Sequence, residues 1–283
     1  EDLNVHTFAL NGTFDDCQAQ LKNLFNDFEF RDSVRLSAVN SINWARVLAQ
    51  VVYYFFSAVS LGAPDRKISF TVPTGNFGDV FAGYIAKQMG LPIDRLIVAT
   101  NQNDILHRCL DTGEYRKNKV LQSYSPSMDI QVSSNFERAL FDAHDRDGKA
   151  VCEVMAELKE KGVFTLSEVI LAELKQHFSS GSVSEQQTLE IIQVVKQTTG
   201  ELLCPHSAIG VQVAQEQRDK KVPMITLATA HPAKFPNAIE KAIGLHPKLP
   251  ERMNGLYDKP ERVTKVRNNL EVIKTLILDR VSS

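Results

Sequence analysis

The chain has 283 residues, and its hydrophobic content of 43% is enough for a sizeable core in one large domain or two smaller ones. Its 32 basic and 34 acidic residues nearly cancel, which disfavours a nucleic-acid-binding protein, and its apolar stretches are too short or too interrupted to span a membrane. Four widely spaced cysteines without a CxxC pair disfavour zinc sites and disulfides, so we expect a soluble protein in a reducing compartment, the cytoplasm.

The first hundred residues alternate between predicted strands and helices. Their apolar periodicity predicts a buried strand over residues 4–10, a helix over 14–28, a long helix over 34–62, a strand over 67–74, a helix over 79–89 and a strand over 92–101. Ser37 or Asn40 could cap the long helix, whose apolar side chains are expected to be buried almost all round. The strand–helix–strand order after residue 67 predicts a parallel sheet with a crossover helix packed on one face.

Residues 102–200 are mostly helical and polar, and their glycines predict helix ends at Gly148, Gly162, Gly181 and Gly200. The earlier alternation then returns, with a helix over residues 207–221, a buried strand over 222–230, a short helix after it and a helix near the C-terminus. The sequence thus predicts an α/β fold, a parallel twisted sheet flanked by helices, with a largely helical insert.

The turn between the strand 67–74 and the following helix reads Gly75-Asn76-Phe77-Gly78-Asp79. Glycines let backbone N–H groups converge, and a helix N-terminus adds unpaired donors and partial positive charge, so a phosphate group would fit here. The pattern is neither GxGxxG nor GxxxxGK[ST], and Asp79 would repel a phosphate. An ordinary strand-to-helix turn with Asp79 as a cap is the alternative.

A second polar feature lies at the start of the predicted long helix. Asn40, Asn43, Arg46 and Gln50 recur at helical spacing, which predicts one polar stripe on an otherwise apolar helix. Amide groups and a guanidinium suit a planar oxyanion or a phosphate. A solvated helix face is the alternative.

Two further stretches carry polar side chains near strand ends or helix starts. Thr229 and His231 lie at the end of the predicted strand 222–230, where ligands bind in open α/β sheets, although a lone histidine there is more often structural. Residues 133–135 can cap the helix that contains Arg138, and capping alone would explain them. Anion-binding groups without a nucleophile–base pair or a metal cluster are typical of an enzyme whose chemistry is carried by a cofactor.

Four stretches together resemble the threonine synthases, which are pyridoxal-phosphate enzymes of the tryptophan-synthase-β fold type, fold type II. They read SAVNSINWARVLAQVVYYF, VPTGNFGDVFAGYIAKQMGLPI, SPSMDIQVSSNFERALF and LATAHPAKFP, and they occur in the family's order over most of the chain. The resemblance implies conversion of O-phosphohomoserine and water to L-threonine and phosphate with pyridoxal 5′-phosphate. It also implies the remainder of a smaller α/β domain over residues 1–35, a cofactor-binding α/β domain over 36–101 and 201–283, and an insert over 102–200.

Residue roles follow from the resemblance, motif by motif. The cofactor phosphate would lie against Gly75, Asn76, Phe77, Gly78 and Asp79, and the pyridine nitrogen would bind Thr229. The phosphate or carboxylate of the substrate would be bound by Asn40, Ser41, Asn43 and Arg46, with Asn135 and Arg138 in the same pocket.

The sequence departs from the family in two places. In the stretch CPHSAIG, Cys204 and Ser207 stand where relatives often have Asp and Thr, so we assign this stretch no catalytic role. The family's Schiff-base lysine lies in an N-terminal Phe-Lys-Asp-like motif that these residues do not contain. Lys234 follows the ring-nitrogen residue, in the wrong part of the fold, and Lys87 is expected to be solvated.

We therefore expect that the chain lacks roughly the first third of such an enzyme and is inactive without that segment of the same polypeptide. Two other interpretations stay open. One is a related phospho-lyase that eliminates phosphate but releases a 2-oxo acid. The other is a non-catalytic remnant that binds pyridoxal phosphate, another phosphate ligand or a partner protein.

Overall fold

The computed structural model describes residues 4–281. The chain up to residue 112 contains β1 (Thr7–Leu10), α1 (Phe14–Asn26), α2 (Phe28–Ser33), α3 (Trp44–Ser60), β2 (Ile68–Pro73), α4 (Gly78–Gln88), β3 (Ile93–Thr100) and α5 (Ile105–Thr112). The next part contains β4 (Glu114–Arg116), α6 (Phe136–Ala143), α7 (Gly148–Lys161), β5 (Val163–Thr165), α8 (Glu168–His177), β6 (Phe178–Ser182), α9 (Glu185–Thr199) and α10 (Pro205–Gln217). The last part contains β7 (Met224–Thr226), α11 (Pro236–Ile243), β8 (Val263–Val266) and α12 (Leu270–Val281). Within the described residues, no helix is both long and apolar enough to cross a membrane.

The described residues form two compact units, one from residues up to 39 together with residues from 249 onward, the other from Asn40–Lys248. In the first unit β1 pairs in parallel with β8, and Thr13 and Asp16 form a capping box at the start of α1. Lys274 of α12 contacts Asp27 at 2.6 Å. The residues of β1 alternate between exposed and half-buried, so its predicted burial is wrong, because a two-stranded sheet covers little of each strand.

The second unit is built on a four-stranded sheet in the order β6-β3-β2-β7, in which all neighbouring pairs are parallel. All six residues of β2 are buried. Along β3, Leu96 and Val98 belong to one hydrophobic cluster, whereas Ile97 and Ala99 belong to another that includes Val213 of α10. Alternate residues of the strand therefore pack on opposite faces, and both faces are covered, as parallel sheets require. This confirms the predicted parallel α/β arrangement.

On the first face, α3 and α4 pack closely around Tyr54. The Tyr54 ring lies 4.8 Å from the ring of Phe70 of β2, measured between centroids. A Cβ atom at Gly83 of α4 would lie 2.5 Å from Cε1 of Tyr54, so a side chain larger than hydrogen does not fit there. The close approach of α3 and α4 depends on this glycine.

The predicted start and burial of the long helix are both wrong. Helix α3 begins at Trp44, because Asn43 caps it by accepting a hydrogen bond from the N–H of Ala45. Short polar side chains bond to nearby backbone groups and so favour caps and turns over helix interiors. A broad apolar face of α3 is exposed, formed by Leu48, Val52, Tyr53, Phe56 and Val59.

Two of the four glycines predicted to end helices do so. Gly162 and Gly200 have left-handed backbone angles at the C-termini of α7 and α9. The prediction is wrong at Gly148, which is the first residue of α7, and at Gly181, which lies in β6 and leaves room for Val213 of α10. Strand β7 is shorter and less buried than predicted, because it forms an edge of the sheet.

Candidate functional site

The turn between β2 and α4 ends in an uncapped helix N-terminus. After β2 the N–H of Thr74 donates to the carbonyl of Ala99 at 2.8 Å, and the chain then leaves the sheet. Phe77 takes a left-handed conformation, with φ of 63°, directly before the first helical residue, Gly78. No side-chain hydrogen bond caps this end of α4. The first N–H groups of the 11-residue helix are thus suited to an anion.

Neighbouring residues pack closely against Gly75 and Gly78 beside this helix end. A Cβ atom at Gly75 would lie 2.7 Å from the carbonyl oxygen of Ser127, a contact that real Cβ atoms do not make. A Cβ atom at Gly78 would lie 3.3 Å from Nδ2 of Asn135 and 3.7 Å from Cβ of Ser41. The turn is therefore packed directly against the segments that carry Ser127 and Asn135.

Residues 133–135 satisfy the carbonyl groups of the turn. The hydroxyl of Ser133 donates to the carbonyl of Gly75 at 2.8 Å. The backbone N–H and Nδ2 of Asn135 both donate to the carbonyl of Asn76 at 3.1 Å. Because these acceptors are already used, the donors at the start of α4 are the groups of the turn that remain for a ligand.

The segment before α3 is attached to the same place. Nδ2 of Asn135 donates to the carbonyl of Ser41 at 2.8 Å, and the guanidinium of Arg138 donates to the carbonyl of Ile42 at 2.9 Å. The guanidinium also lies over the ring of Trp44, 5.3 Å from its centroid. Asn135 and Arg138 thus hold residues 41–44 beside the N-terminus of α4.

The predicted polar stripe does not form on one helix face. Asn40 and Ser41 precede α3, Asn43 is its cap, and Arg46 lies in its first turn with an exposed side chain. The amide oxygen of Asn40 accepts from the N–H of Ile42, which closes a local turn. The N–H of Asn43 donates to the carbonyl of Asn40 at 3.1 Å, so this turn folds back onto the start of α3.

Thr229 lies at the same edge of the sheet as the turn at Gly75. Strand β7 runs parallel to β2, so the C-terminal ends of both strands meet at that edge. The backbone N–H of Thr229 donates to Oγ of Ser207 at 3.1 Å, and Oγ1 of Thr229 lies 3.3 Å from both Sγ of Cys204 and Oγ of Ser207. The side chain of Thr229 is exposed, so it can reach a ligand.

Sequence reasoning gave Cys204 and Ser207 no role, yet both contact the residue predicted to bind the ring nitrogen. The stretch CPHS could have indicated this, because it begins helix α10. A helix that begins beside the edge of a sheet has its first residues close to the strand ends there. A residue of the same turn, His206, extends the connection, since its Nε2 accepts from the N–H of Ser127 at 3.3 Å. Ser127 in turn contacts Gly75, so the first turn of α10 connects the two parts of the site.

A buried polar network fixes the loop that carries Ser127. Nδ2 of Asn101, directly after β3, lies 2.8–2.9 Å from oxygens of Ser123, Ser125 and Asp129 and shares its two hydrogens among them. Nδ2 of Asn103 also donates to Asp129, at 2.9 Å. Such a fully bonded network holds the loop rigidly against the sheet edge. The sequence gave no sign of it, because Asn101 and Asp129 are 28 positions apart and separated by α5 and β4.

Asp79 contacts the core rather than capping α4. The hydroxyl of Tyr54 donates to the backbone carbonyl of Asp79 at 2.8 Å and to its Oδ1 at 3.2 Å. Burial raises the pKa of the Asp79 carboxyl to about 6, although the bond from Tyr54 opposes this. The expected repulsion of a phosphate is reduced, since the carboxyl accepts a hydrogen bond from Tyr54.

The remaining predicted groups have structural contacts. Nδ1 of His231 accepts from the N–H of Ala233, which supports the structural alternative for this histidine. Lys234 is exposed in the short turn that follows. Lys87 lies in the last turn of α4, far from its N-terminus, and is half-buried rather than solvated, so desolvation lowers the pKa of its ammonium group.

Comparison with known proteins finds relatives that are named threonine synthase. The family model described as "Threonine synthase, C-terminal" matches residues 207–277. The chain is 52% identical over 276 residues to the threonine synthase of Pseudomonas aeruginosa and 43% identical over 291 residues to that of Corynebacterium glutamicum. These alignments include 97% and 100% of this chain but 59% and 60% of the relatives. The chain thus spans about three fifths of the length of the curated relatives it matches.

Solved structures agree with the sequence comparison. A PLP-bound threonine synthase from Brucella melitensis superposes with a TM-score of 0.90 at 53% identity, over 99% of this chain and 60% of that one. The yeast threonine synthase gives a TM-score of 0.86 at 38% identity, over 99% and 60% of the two chains. The predicted resemblance to threonine synthases and the predicted fold type II architecture are both confirmed.

Proposed function

We propose that this chain is the larger part of a threonine synthase, which converts O-phosphohomoserine and water to L-threonine and phosphate with pyridoxal 5′-phosphate. One observation carries the proposal. An uncapped helix N-terminus, preceded by Gly75, which has no room for a Cβ atom, lies at the same sheet edge as an exposed threonine hydroxyl. A ligand with a phosphate at one end and a hydrogen-bonding ring atom at the other matches these two features.

The residues of the turn fit the phosphate of this cofactor. Its negative charge would be bound by the first N–H groups of α4, with Gly75, Asn76, Phe77, Gly78 and Asp79 forming the surrounding backbone. Gly75 and Gly78 let the chain segments around Ser127 and Asn135 pack directly against the backbone of the turn. Thr229 would bind the pyridine nitrogen, and the cofactor, when bound, supplies the electron-withdrawing ring that stabilises carbanions at the substrate.

The substrate would be bound beside the cofactor by the segment that precedes α3. Asn40, Ser41, Asn43 and Arg46 offer amide, hydroxyl and guanidinium groups for the phosphate or carboxylate of O-phosphohomoserine. Asn135 and Arg138 act on the same pocket, since their hydrogen bonds hold the backbone of Ser41 and Ile42. Their main contribution is to position this segment.

The Schiff-base lysine would come from the part of the threonine synthases that this chain does not cover. Two lysines occur in the matching motifs. Lys87 lies in the last turn of α4, and Lys234 is exposed in a short turn. We therefore propose that the complete enzyme forms from this chain and that further segment. A cytoplasmic location accords with the free thiols of Cys17, Cys109, Cys152 and Cys204.

The test is complementation with product analysis. The uncovered part of the Pseudomonas aeruginosa threonine synthase is joined to this chain in its natural order, which gives the complemented protein. This protein is incubated with O-phosphohomoserine and pyridoxal phosphate, and threonine, 2-oxo acid and phosphate are measured separately. The matched control carries Thr229→Val, which keeps the size of the side chain but removes its hydroxyl.

Threonine and phosphate in equal amounts, reduced in the control, would support the proposal. A 2-oxo acid in place of threonine would identify the related phospho-lyase instead. Cofactor binding with neither product would favour a non-catalytic remnant, and absence of binding would contradict the proposed cofactor.

A further inference from the structure

Phe77 has a backbone conformation that is unusual for a bulky residue. Its φ of 63° and ψ of 0° lie in the left-handed region, which side chains with a Cβ atom disfavour. Four non-glycine residues within residues 4–281 have a positive φ, and Phe77 is the only one of them that is both aromatic and buried. Such a conformation persists only where the surrounding structure imposes it, and often marks a functional site.

The ring of Phe77 is packed between two other buried aromatic rings. Its centroid lies 5.2 Å from that of Phe136, the first residue of α6, and 5.1 Å from that of Phe178, the first residue of β6. Both contacts are edge to face, which is a favoured geometry for aromatic pairs. Tyr115 stacks on Phe136, and Phe164 stacks on Tyr115. Because these rings are close-packed, a rotation of the Phe77 backbone would have to displace its ring from the core.

The peptide groups on both sides of Phe77 are held as well. The carbonyl of Asn76 accepts from the backbone N–H and from Nδ2 of Asn135, both at 3.1 Å. The carbonyl of Phe77 accepts the first hydrogen bond of α4, from the N–H of Phe81 at 3.0 Å. The N–H groups of residues 78–80 come before this bond and have no acceptor within the helix. Their direction relative to the turn is set by the φ of Phe77, and successive N–H groups at such a turn converge on an anion.

We propose that Phe77 is a positioning residue, and that the packing of its ring against Phe136 and Phe178 holds its backbone in the left-handed conformation that directs the N–H groups of α4 at the cofactor phosphate. This inference rests on the proposed function. Glycine would adopt the same conformation without strain, but it would leave the turn free to take others. A buried aromatic ring at this position fixes one conformation before the ligand arrives, so binding does not have to order the turn. Both ring partners lie in residues 102–200, the predicted insert, which thereby contributes to the phosphate site.

Two substitutions of Phe77 separate its backbone conformation from its volume. Phe77→Gly and Phe77→Ala both remove the ring, but only glycine adopts a positive φ without strain. Pyridoxine 5′-phosphate, which has no aldehyde and forms no bond to a lysine, is titrated into the complemented protein by calorimetry. We expect the wild type to bind most tightly and Phe77→Ala to bind about tenfold more weakly than Phe77→Gly. Circular dichroism checks that each variant is folded.

Phe136→Leu tests the same role without changing the turn itself. It removes the edge-to-face contact with Phe77 and should raise the dissociation constant about threefold. In a protein that already carries Phe77→Gly, the same substitution should have no effect, because glycine needs no packing to take the left-handed conformation. Phe164→Leu is the matched control. It removes a buried ring that stacks on Tyr115, and it should leave the dissociation constant unchanged.

Equal dissociation constants for Phe77→Gly and Phe77→Ala, with binding to the wild type intact, would overturn the proposal, because the residue would then act through its volume alone. An effect of Phe136→Leu that persists in the Phe77→Gly protein would also overturn it. If the variants of Phe77 do not fold, the comparison of Phe136→Leu with Phe164→Leu decides, and equal affinities of these two would count against the proposal. Absence of binding to the wild type would contradict the proposed function, and this inference with it.

Discussion

Replacing Asp79 by Asn should stabilise the protein at neutral pH and leave it nearly unchanged in acid. Asp79 lies in the first turn of α4, and its carboxyl accepts from the hydroxyl of Tyr54 inside the core. Asparagine has nearly the same shape and an amide oxygen that can accept the same bond. The substitution therefore removes the charge while retaining the contact.

The expected magnitude follows from the pKa of the carboxyl, which rises from 3.8 to about 6 in the folded protein. The folded state then binds the proton more tightly than the unfolded state, so this group contributes most stability below about pH 4 and loses it as the pH rises to 6. A shift of about two pH units corresponds to about 3 kcal/mol. The free energy of unfolding of Asp79→Asn, compared with that of the wild type, should therefore increase by up to about 3 kcal/mol between pH 4 and pH 7.

Urea unfolding followed by the fluorescence of Trp44, the single tryptophan, reports on the unit that contains Asp79. The free energy of unfolding is compared between wild type and Asp79→Asn at several values between about pH 4 and pH 8. Tyr54→Phe is the companion variant: it removes a bond that lowers the pKa of Asp79, so the loss of stability should extend to higher pH. A difference between wild type and Asp79→Asn that stays constant with pH would refute the reasoning.

Two further substitutions test the packing of the glycines. Gly83→Ala should destabilise the protein by about 1–3 kcal/mol in urea unfolding, because its Cβ atom would lie 2.5 Å from Tyr54, whereas Gly148→Ala, with only one neighbour at 4.0 Å, should not. Gly75→Ala should weaken binding of pyridoxine 5′-phosphate to the complemented protein by about tenfold or more, since its Cβ atom meets the carbonyl of Ser127 at 2.7 Å. Equal affinity in a fluorescence titration would show that the phosphate does not bind at this turn.

The elements that the sequence predicted well are those specified by local pattern. Strands β2 and β3 and helix α4 were expected within one or two residues of their observed ends, since apolar strands that meet glycine turns signal both boundaries. The turn at Gly75 was identified for the same reason. Its carbonyl partners in residues 133–135 were not, because nothing local to the turn specifies which distant segment packs against it.

Predictions failed where local side-chain hydrogen bonds or distant parts of the chain decide the outcome. The sequence predicted a helix from residue 34 with Ser37 or Asn40 as its cap, whereas Asn40 closes a turn and Asn43 caps the helix that begins at Trp44. The spacing of apolar residues does not reveal these side-chain hydrogen bonds, because it continues across the start of α3. Gly181 was predicted to end a helix, but it lies in strand β6. Val213 of α10 occupies the space that a side chain at this position would need.

The arrangement of the site explains why the first turn of α10 was overlooked. The two proposed binding points, the turn at Gly75 and Thr229, follow strands that are neighbours in the sheet, about 5 Å apart, but distant in sequence. Cys204 and Ser207 contact Thr229. His206 accepts a hydrogen bond from Ser127, which lies beside Gly75. A change in this turn should therefore disturb both ends of a bound ligand together. This coupling depends on which strands are neighbours in the sheet. A residue-by-residue comparison with family motifs does not show the order of the strands.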